Sequence, residues 1–164
     1  FFQLFSTLPV FYKNRLQLSE FFIGMLMGLN GIIIVVVEML VIFRLETKNK
    51  MMLFISTGVL LTALSYVIFN LLPYHPLTAV ISVILVTFGE MFAMPFMNTF
   101  WTSRSLPENR GQYACLYTMA WSLAQVAGPI GGTWIAGHYG FNILWWLTGG
   151  VCLITCILFR TFKG

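Results

Sequence analysis

Long apolar runs, broken at short intervals by polar or proline-containing stretches, set the pattern of this chain. Each full run is close to the roughly 20 residues that a helix needs to cross a bilayer. Residues 1–12 read as the tail of one such span, with Gln3, Ser6 and Thr7 as polar points and Pro9 near its end. Five complete spans are predicted after it, over 19–43, 51–72, 76–103, 112–137 and 141–162. Ser19 offers an N-cap to the second segment, and Glu20 suits the positive end of that helix. Pro73-Tyr74-His75-Pro76 closes the third segment, Pro107 and Glu108 are placed to begin the fifth, and a tight turn is expected at 138–140.

The fourth segment departs from this pattern. It carries Glu90 near its middle and Pro95 five residues later. At about 1.5 Å of rise per residue, Glu90 lies on the order of 20 Å from either end, close to the bilayer midplane. A charge there costs about 2.5–3.5 kcal/mol on insertion scales, so such a group is expected to face other helices or a wet cavity. The carbonyl freed by Pro95 likewise needs a neighbour or water. Glu90 is therefore the leading candidate for chemistry. A carboxyl in this position can gain and lose a proton as a cavity opens to one side and then the other, or hold a cationic substrate. The alternative is a structural carboxyl bonded to a neighbouring helix. Thr87, Met94 and Asn98 share its helical face.

Composition agrees with the pattern: 59% of the 164 residues are hydrophobic and 9% charged, the profile of a polytopic membrane protein. The net charge of +4 acquires meaning only through its distribution. Arg44, Lys48, Lys50, Arg104, Arg110, Arg160 and Lys163 fall on one side of the predicted topology, and only Lys13 and Arg15 on the other. The positive-inside rule places the first set, and with it the C-terminus, in the cytoplasm of a cell whose cytoplasmic (inner) membrane holds the chain. Nucleic-acid binding is not expected. The three cysteines all fall within predicted spans, and His75 and His138 stand on outer turns without metal-ligand spacing. No nucleophile elbow or phosphate-cradling loop is present, so neither an enzyme nor a cofactor is expected. The chain opens on Phe1 inside an apolar run, and is expected to be a fragment of a longer protein.

Small residues indicate which faces pack. Gly24, Gly28, Gly31, Val35 and Glu38 make one stripe on the second segment; Thr118, Trp121, Ser122, Gln125, Gly128 and Gly132 make one on the fifth. Such stripes let backbones approach closely in lipid. Asn30 and Gln125, as amides inside spans, either join helices or face a cavity. Pro129, with Gly128, Gly131 and Gly132 around it, is expected to allow a bend and a close neighbour.

Taken together, LFSTLPVFYKN, the Gly-rich span with Asn30, FGEMFAMPFMNTFW, PENRGQYACLYTMAWSLAQVAGPIGGTW and the closing HYGF turn resemble the C-terminal half of a major facilitator superfamily transporter. The resemblance covers essentially the whole chain. It implies an all-α membrane fold of twelve helices in two halves, of which these six would be helices seven to twelve, the first truncated. The first and fourth segments would line a cavity, with Gln3 and Glu90 in it. The second and fifth would flank the cavity and meet the missing N-terminal half. The third and sixth would lie outside, leaving Thr148, Cys152 and Thr155 as packing residues. The Gly-Pro-x-x-Gly-Gly element is similar to a signature of drug/proton antiporters, but that signature belongs to helix five of the other half. The loop signature between helices two and three would fall at 44–50, where only basic character remains.

These readings lead to a proton-coupled secondary transporter moving small molecules by alternating access, with efflux of lipophilic or cationic compounds expected. A proton-coupled importer such as a peptide symporter is the alternative within transport, since Gly89-Glu90 followed by Pro95 also resembles helix ten of the oligopeptide branch. A scaffold or binding subunit without a transport cycle is the alternative outside it. The expected site comprises Glu90, Gln3, Asn30, Asn98, Trp121 and Gln125 for substrate and protons. Gating is assigned to Glu38 paired with Arg104 or Arg110, and bending to Pro95, Gly128, Pro129, Gly131 and Gly132. A static ion pair is the alternative for Glu38.

Overall fold

A computed structural model describes residues 1–45 and 50–161 of the chain. The basic stretch at 46–49 and the tail carrying Lys163 lie outside the described residues. The described chain is helical: a 3-10 turn at Phe2–Leu4, then α1 (Thr7–Asn14), α2 (Glu20–Leu45), α3 (Met51–Leu71), α4 (Pro76–Arg104), α5 (Arg110–Tyr139) and α6 (Phe141–Thr161). Helices α2, α3, α4 and α6 are long and apolar enough to cross a membrane. At 30 residues α5 has the length, but its Gly, Ser, Gln, Tyr and His content makes it the more polar helix.

Local signals account for most boundaries, and three of them shift. The Ser19 hydroxyl accepts from the Phe22 N–H at 3.3 Å, as an N-cap does. His75 Nδ1 accepts from the Leu77 N–H, so this outer-turn histidine caps α4 while Pro76 occupies the first helical position. The first predicted segment is not one continuous helix, since the chain breaks at Phe5 and Ser6 before α1 begins at Thr7. Helix α5 starts at Arg110 rather than at Pro107. The Asn109 carboxamide accepts from the Leu106 N–H at 2.8 Å and holds the intervening residues as a turn. The turn expected over 138–140 contracts to Gly140, whose φ of 87° suits glycine and lets α6 begin at once.

The helix packing centres on α3, which lies against both α4 and α6, while α2 packs on α4. The closest approach joins α3 to α4. A Cβ on Gly58 would stand 2.6 Å from the Ala93 N and the Gly89 O, and one on Gly89 would stand 2.9 Å from the Gly58 O. The two helices thus touch backbone to backbone, the arrangement that small residues permit in lipid. Ser82 reinforces it by donating to the Ser65 carbonyl at 2.7 Å. An aromatic cluster ties together α1, α3 and α6: the Phe11 ring lies 4.8 Å from Phe69 and 5.2 Å from Trp145, and Tyr66 stacks on Trp145 at 5.4 Å. By contrast Gly24, Gly28 and Gly31 have no atom within 4 Å of a Cβ position. That glycine stripe of α2 therefore packs against nothing among the described residues; it faces outward, beside Val35 at 79% exposure.

Filling the α3–α4 contact tests this packing. Gly58→Leu in the full-length protein is expected to lower thermal stability in detergent by about 1–3 kcal/mol or more, as overpacking does. Gly150→Ala, with open space around its Cβ position, should stay within about 1 kcal/mol of the parent and on the stabilising side. Equal effects from the two substitutions would contradict the close approach.

Candidate functional site

The buried polar centre lies between α2 and α4. These helices are separated in sequence by α3 and its two connections, so they run in the same direction and keep a constant register. That register sets Asn30 against Thr87 and Glu90. The Asn30 Nδ2 group donates to Glu90 Oε2 at 2.9 Å and to Thr87 Oγ1 at 2.9 Å. The Thr87 hydroxyl in turn donates to the Val83 carbonyl one turn earlier, at 2.6 Å. All three side chains are buried, with exposures of 3% for Asn30, 0% for Thr87 and 6% for Glu90. The other carboxyl oxygen, Oε1 of Glu90, is itself buried and has no hydrogen-bond partner among the described residues.

Glu90 faces a cavity of about 200 Å³ whose walls include Asn30, Ile34 and Glu38 from α2 and Met91 and Met94 from α4. Phe1 and Phe5 close it from the amino-terminal side. Met94 is thus where the helical face of Glu90 predicts it. Asn98 is not: one turn further along, it is exposed and accepts from the Trp101 indole N–H at 2.7 Å. Nor does the structure bring Glu38 to Arg104 or Arg110. Glu38 opens onto the cavity that Met94 also lines, whereas Arg104 lies ten residues beyond Met94, about 15 Å along the helix. There its guanidinium rests over the Phe100 ring at 4.8 Å. Arg110 is exposed at the first residue of α5. Among the described residues the ion pair present is that of Lys13 with Glu20, on the surface.

A second, larger cavity of about 690 Å³ lies between the amino-terminal turn, α5 and α6. Its lining includes Phe1, Phe2, Gln3, Tyr117 and Trp121 on one side, with Thr148, Cys152 and Thr155 of α6 on the other. The last three are thus cavity-lining and not packing residues. They recur at helical spacing on the face that α5 leaves uncovered. Trp101, Tyr117 and Trp121 follow one another at 5.8 and 6.3 Å, and Trp121 meets the Phe2 ring at 5.2 Å. Gln3 bridges the turn to α5. Its amide donates to the Gly128 carbonyl at 2.6 Å, while its carbonyl accepts from Thr7. Gly128, Gly131 and Gly132 line the same cavity, and only Gly132 is buried. Helix α5 continues through Pro129, and α4 through Pro95, without interruption. Gln125 is exposed and lines neither cavity.

Nothing in the sequence marked Thr87 as the partner of Asn30, because the pairing spans 57 positions. The available signal was that two amide or hydroxyl residues stood at mid-span beside a mid-span carboxylate. The network predicts a measurable coupling. Asn30→Ala should cost about 1–3 kcal/mol by leaving a buried oxygen unpaired. In a double-mutant cycle with Glu90→Gln the coupling should fall within about 0.5–3 kcal/mol. Strict additivity of the two changes in thermal unfolding would refute the contact.

The family model described as Major Facilitator Superfamily matches residues 1–129. No curated protein matches the chain, and no solved structure matches it. An all-α fold, four helices able to cross a bilayer and a buried carboxyl facing a cavity between them agree with that match. The chain belongs to the major facilitator superfamily, whose members are secondary transporters that carry small molecules across a lipid bilayer.

Proposed function

We propose that the chain is the C-terminal six-helix half of a proton-coupled transporter of the drug/proton antiporter type, exporting small lipophilic or cationic compounds. In this reading α1 to α6 are transmembrane helices seven to twelve, α5 included. The C-terminus lies in the cytoplasm, and the membrane is the cytoplasmic one. The outward faces of α2 and α5 meet the N-terminal half of the same protein.

One observation carries the reading: a carboxyl 6% exposed in the middle of a membrane helix, on a residue that lines a cavity, with one oxygen held by Asn30 and the other buried without a partner among the described residues. A purely structural carboxyl has both oxygens satisfied, because an unmet buried acceptor is costly. Here the cost is retained where a mobile proton or cation can relieve it, which is how intramembrane acids serve in transport pathways. Asn30 and Thr87 fix the side chain, so proton exchange occurs at one defined oxygen. The larger aromatic-walled cavity beside α5 and α6, at about 690 Å³, falls within the range of roughly 300–1,000 Å³ that accepts drug-sized ligands. Rocking of α2 and α5 against the other half would expose the cavities alternately to the two sides.

Reconstituted full-length protein provides the test. Accumulation of a fluorescent cationic dye driven by a pH gradient should occur in the parent and collapse with a protonophore. Glu90→Gln should reduce it by at least about tenfold, within the range of one general acid–base contact, with protein yield unchanged. Unchanged flux and unchanged pH dependence in that variant would overturn the role of Glu90. Peptide uptake in place of dye export would favour the importer, and the absence of any flux the scaffold.

A further inference from the structure

The close of α3, the turn into α4 and the start of α6 meet at one end of the bundle and have no part in the transport reading. A recess of about 230 Å³ opens there, and its walls include Phe69, Asn70, Pro73, Tyr74, Asn142 and Trp146. It lies at the opposite end of α3 and α6 from the contacts of Ser56 with Cys156 and Arg160. Aromatic residues such as Tyr74 and Trp146 are common where a span meets water. The amides held beside them call for a separate account.

The recess has a fixed frame. Gly140 lets α6 begin at once, which sets Asn142 against the end of α3. Asn70 Nδ2 donates to the Asn142 carbonyl at 2.9 Å, and the Tyr74 hydroxyl donates to Asn142 Oδ1 at 2.8 Å. The Tyr74 ring is held in turn by an edge-on contact with Phe11 at 5.7 Å. A bridge between α3 and α6 needs only the first of these bonds. Two hydrogen-bonding capacities are left over. Asn142 is exposed, and its Nδ2 group makes no hydrogen bond among the described residues. Asn70 Oδ1 is buried with no partner among the described residues, a cost that a donor entering from the recess would relieve.

We propose that this recess binds one neutral, hydroxyl-rich ring of the glycosyl type, carried by a free sugar or by a glycolipid head group. Charge narrows the choice first. No charged side chain lines the recess among the described residues, so neither a phosphate nor an ammonium ion finds a counter-charge, and removing an ion from water without one is costly. Carboxamides both donate and accept, as sugar hydroxyls do, and pair with them in either sense. The rings of Trp146 and Tyr74, 54% and 45% exposed, offer flat faces of negative potential on which the C–H face of a pyranose can rest. Volume sets the size. It lies below the roughly 300 Å³ at which drug-sized pockets begin, so one ring enters and any attached chain extends from the mouth. The site stands apart from Glu90 and from proton coupling.

Two probes test the assignment on the purified full-length protein. Methyl β-glucopyranoside, titrated by calorimetry in a detergent without sugar groups, tests the free ligand. Nanodiscs with and without monoglucosyl diacylglycerol, compared by thermal unfolding, test the lipid. Saturable binding of the glycoside assigns a free sugar, and stabilisation by the lipid alone assigns a head group presented by the bilayer. Asn142→Ala should weaken the response by about three- to tenfold, as loss of one neutral hydrogen bond does. Trp146→Ala should weaken it by about tenfold through loss of the aromatic face. Both positions are exposed, so the fold should persist, and Ile143→Ala, outside the recess, should respond as the parent does. Parent-like responses in both Asn142→Ala and Trp146→Ala overturn the recess as the site. No response of the parent to either probe overturns the ligand class.

Discussion

A carboxyl enclosed in a helix bundle has two oxygens to satisfy, and the chain satisfies one. The Asn30 amide reaches Glu90 Oε2 from a neighbouring helix and leaves Oε1 buried without a partner among the described residues. This half-completed contact constrains much else. It requires α2 to lie beside α4 in a fixed register, because an amide at 2.9 Å tolerates little sliding. It requires Thr87 to take the second amide hydrogen, since a buried donor left idle would carry its own penalty. It also requires α4 to be held from behind, so that the carboxyl does not turn away. The backbone contact of Gly89 with Gly58 does this one residue before Glu90. A helix pressed so closely against α3 on one side presents its polar face to α2 on the other.

The close contact and the polar contact thus share one helix turn, with different visibility in the sequence. Glu90 was legible because a charged residue inside a long apolar run has few explanations. Asn30 was legible as an amide in a span, with its choice between joining helices and facing a cavity left open; it does both. The glycine spacing did not say which partner it serves. Gly24, Gly28 and Gly31 have the regular spacing that suggests close packing, yet they face outward. Gly58 and Gly89 belong to no stripe and make the tightest approach. Spacing identifies a face but not what covers it, and in an apolar helix every face resembles every other.

The same limit explains the residues placed elsewhere. Asn98 and Gln125 share helical faces with site residues in a simple projection, but both are exposed and line neither cavity. Glu38 was read by its distance from the nearest basic loop along the chain. Its surroundings are decided by the neighbouring helix, which brings Met91 and Met94 to it and carries Arg104 well past it. Local signals performed better where the interaction is itself local. The Ser19 cap and the Pro76 start are made by residues within three positions of one another.

The amide bridge from Asn30 to Glu90 has a mechanical consequence, because a short bond near the middles of α2 and α4 ties the two helices so that they move as a unit. Glu38 lies about 12 Å along α2 from Asn30, on the far side of the bridge from the start of α2. Tilting the pair against its surroundings can therefore open or close the space around Glu38 while the bond between Asn30 and Glu90 persists. Movement of the walls at Phe1, Phe5 and Met94 would then expose or seal the carboxyl, with no break in the network that holds it. A site built this way keeps its geometry while its access changes, which is the physical requirement that alternating exposure places on any group exchanging an ion between two compartments.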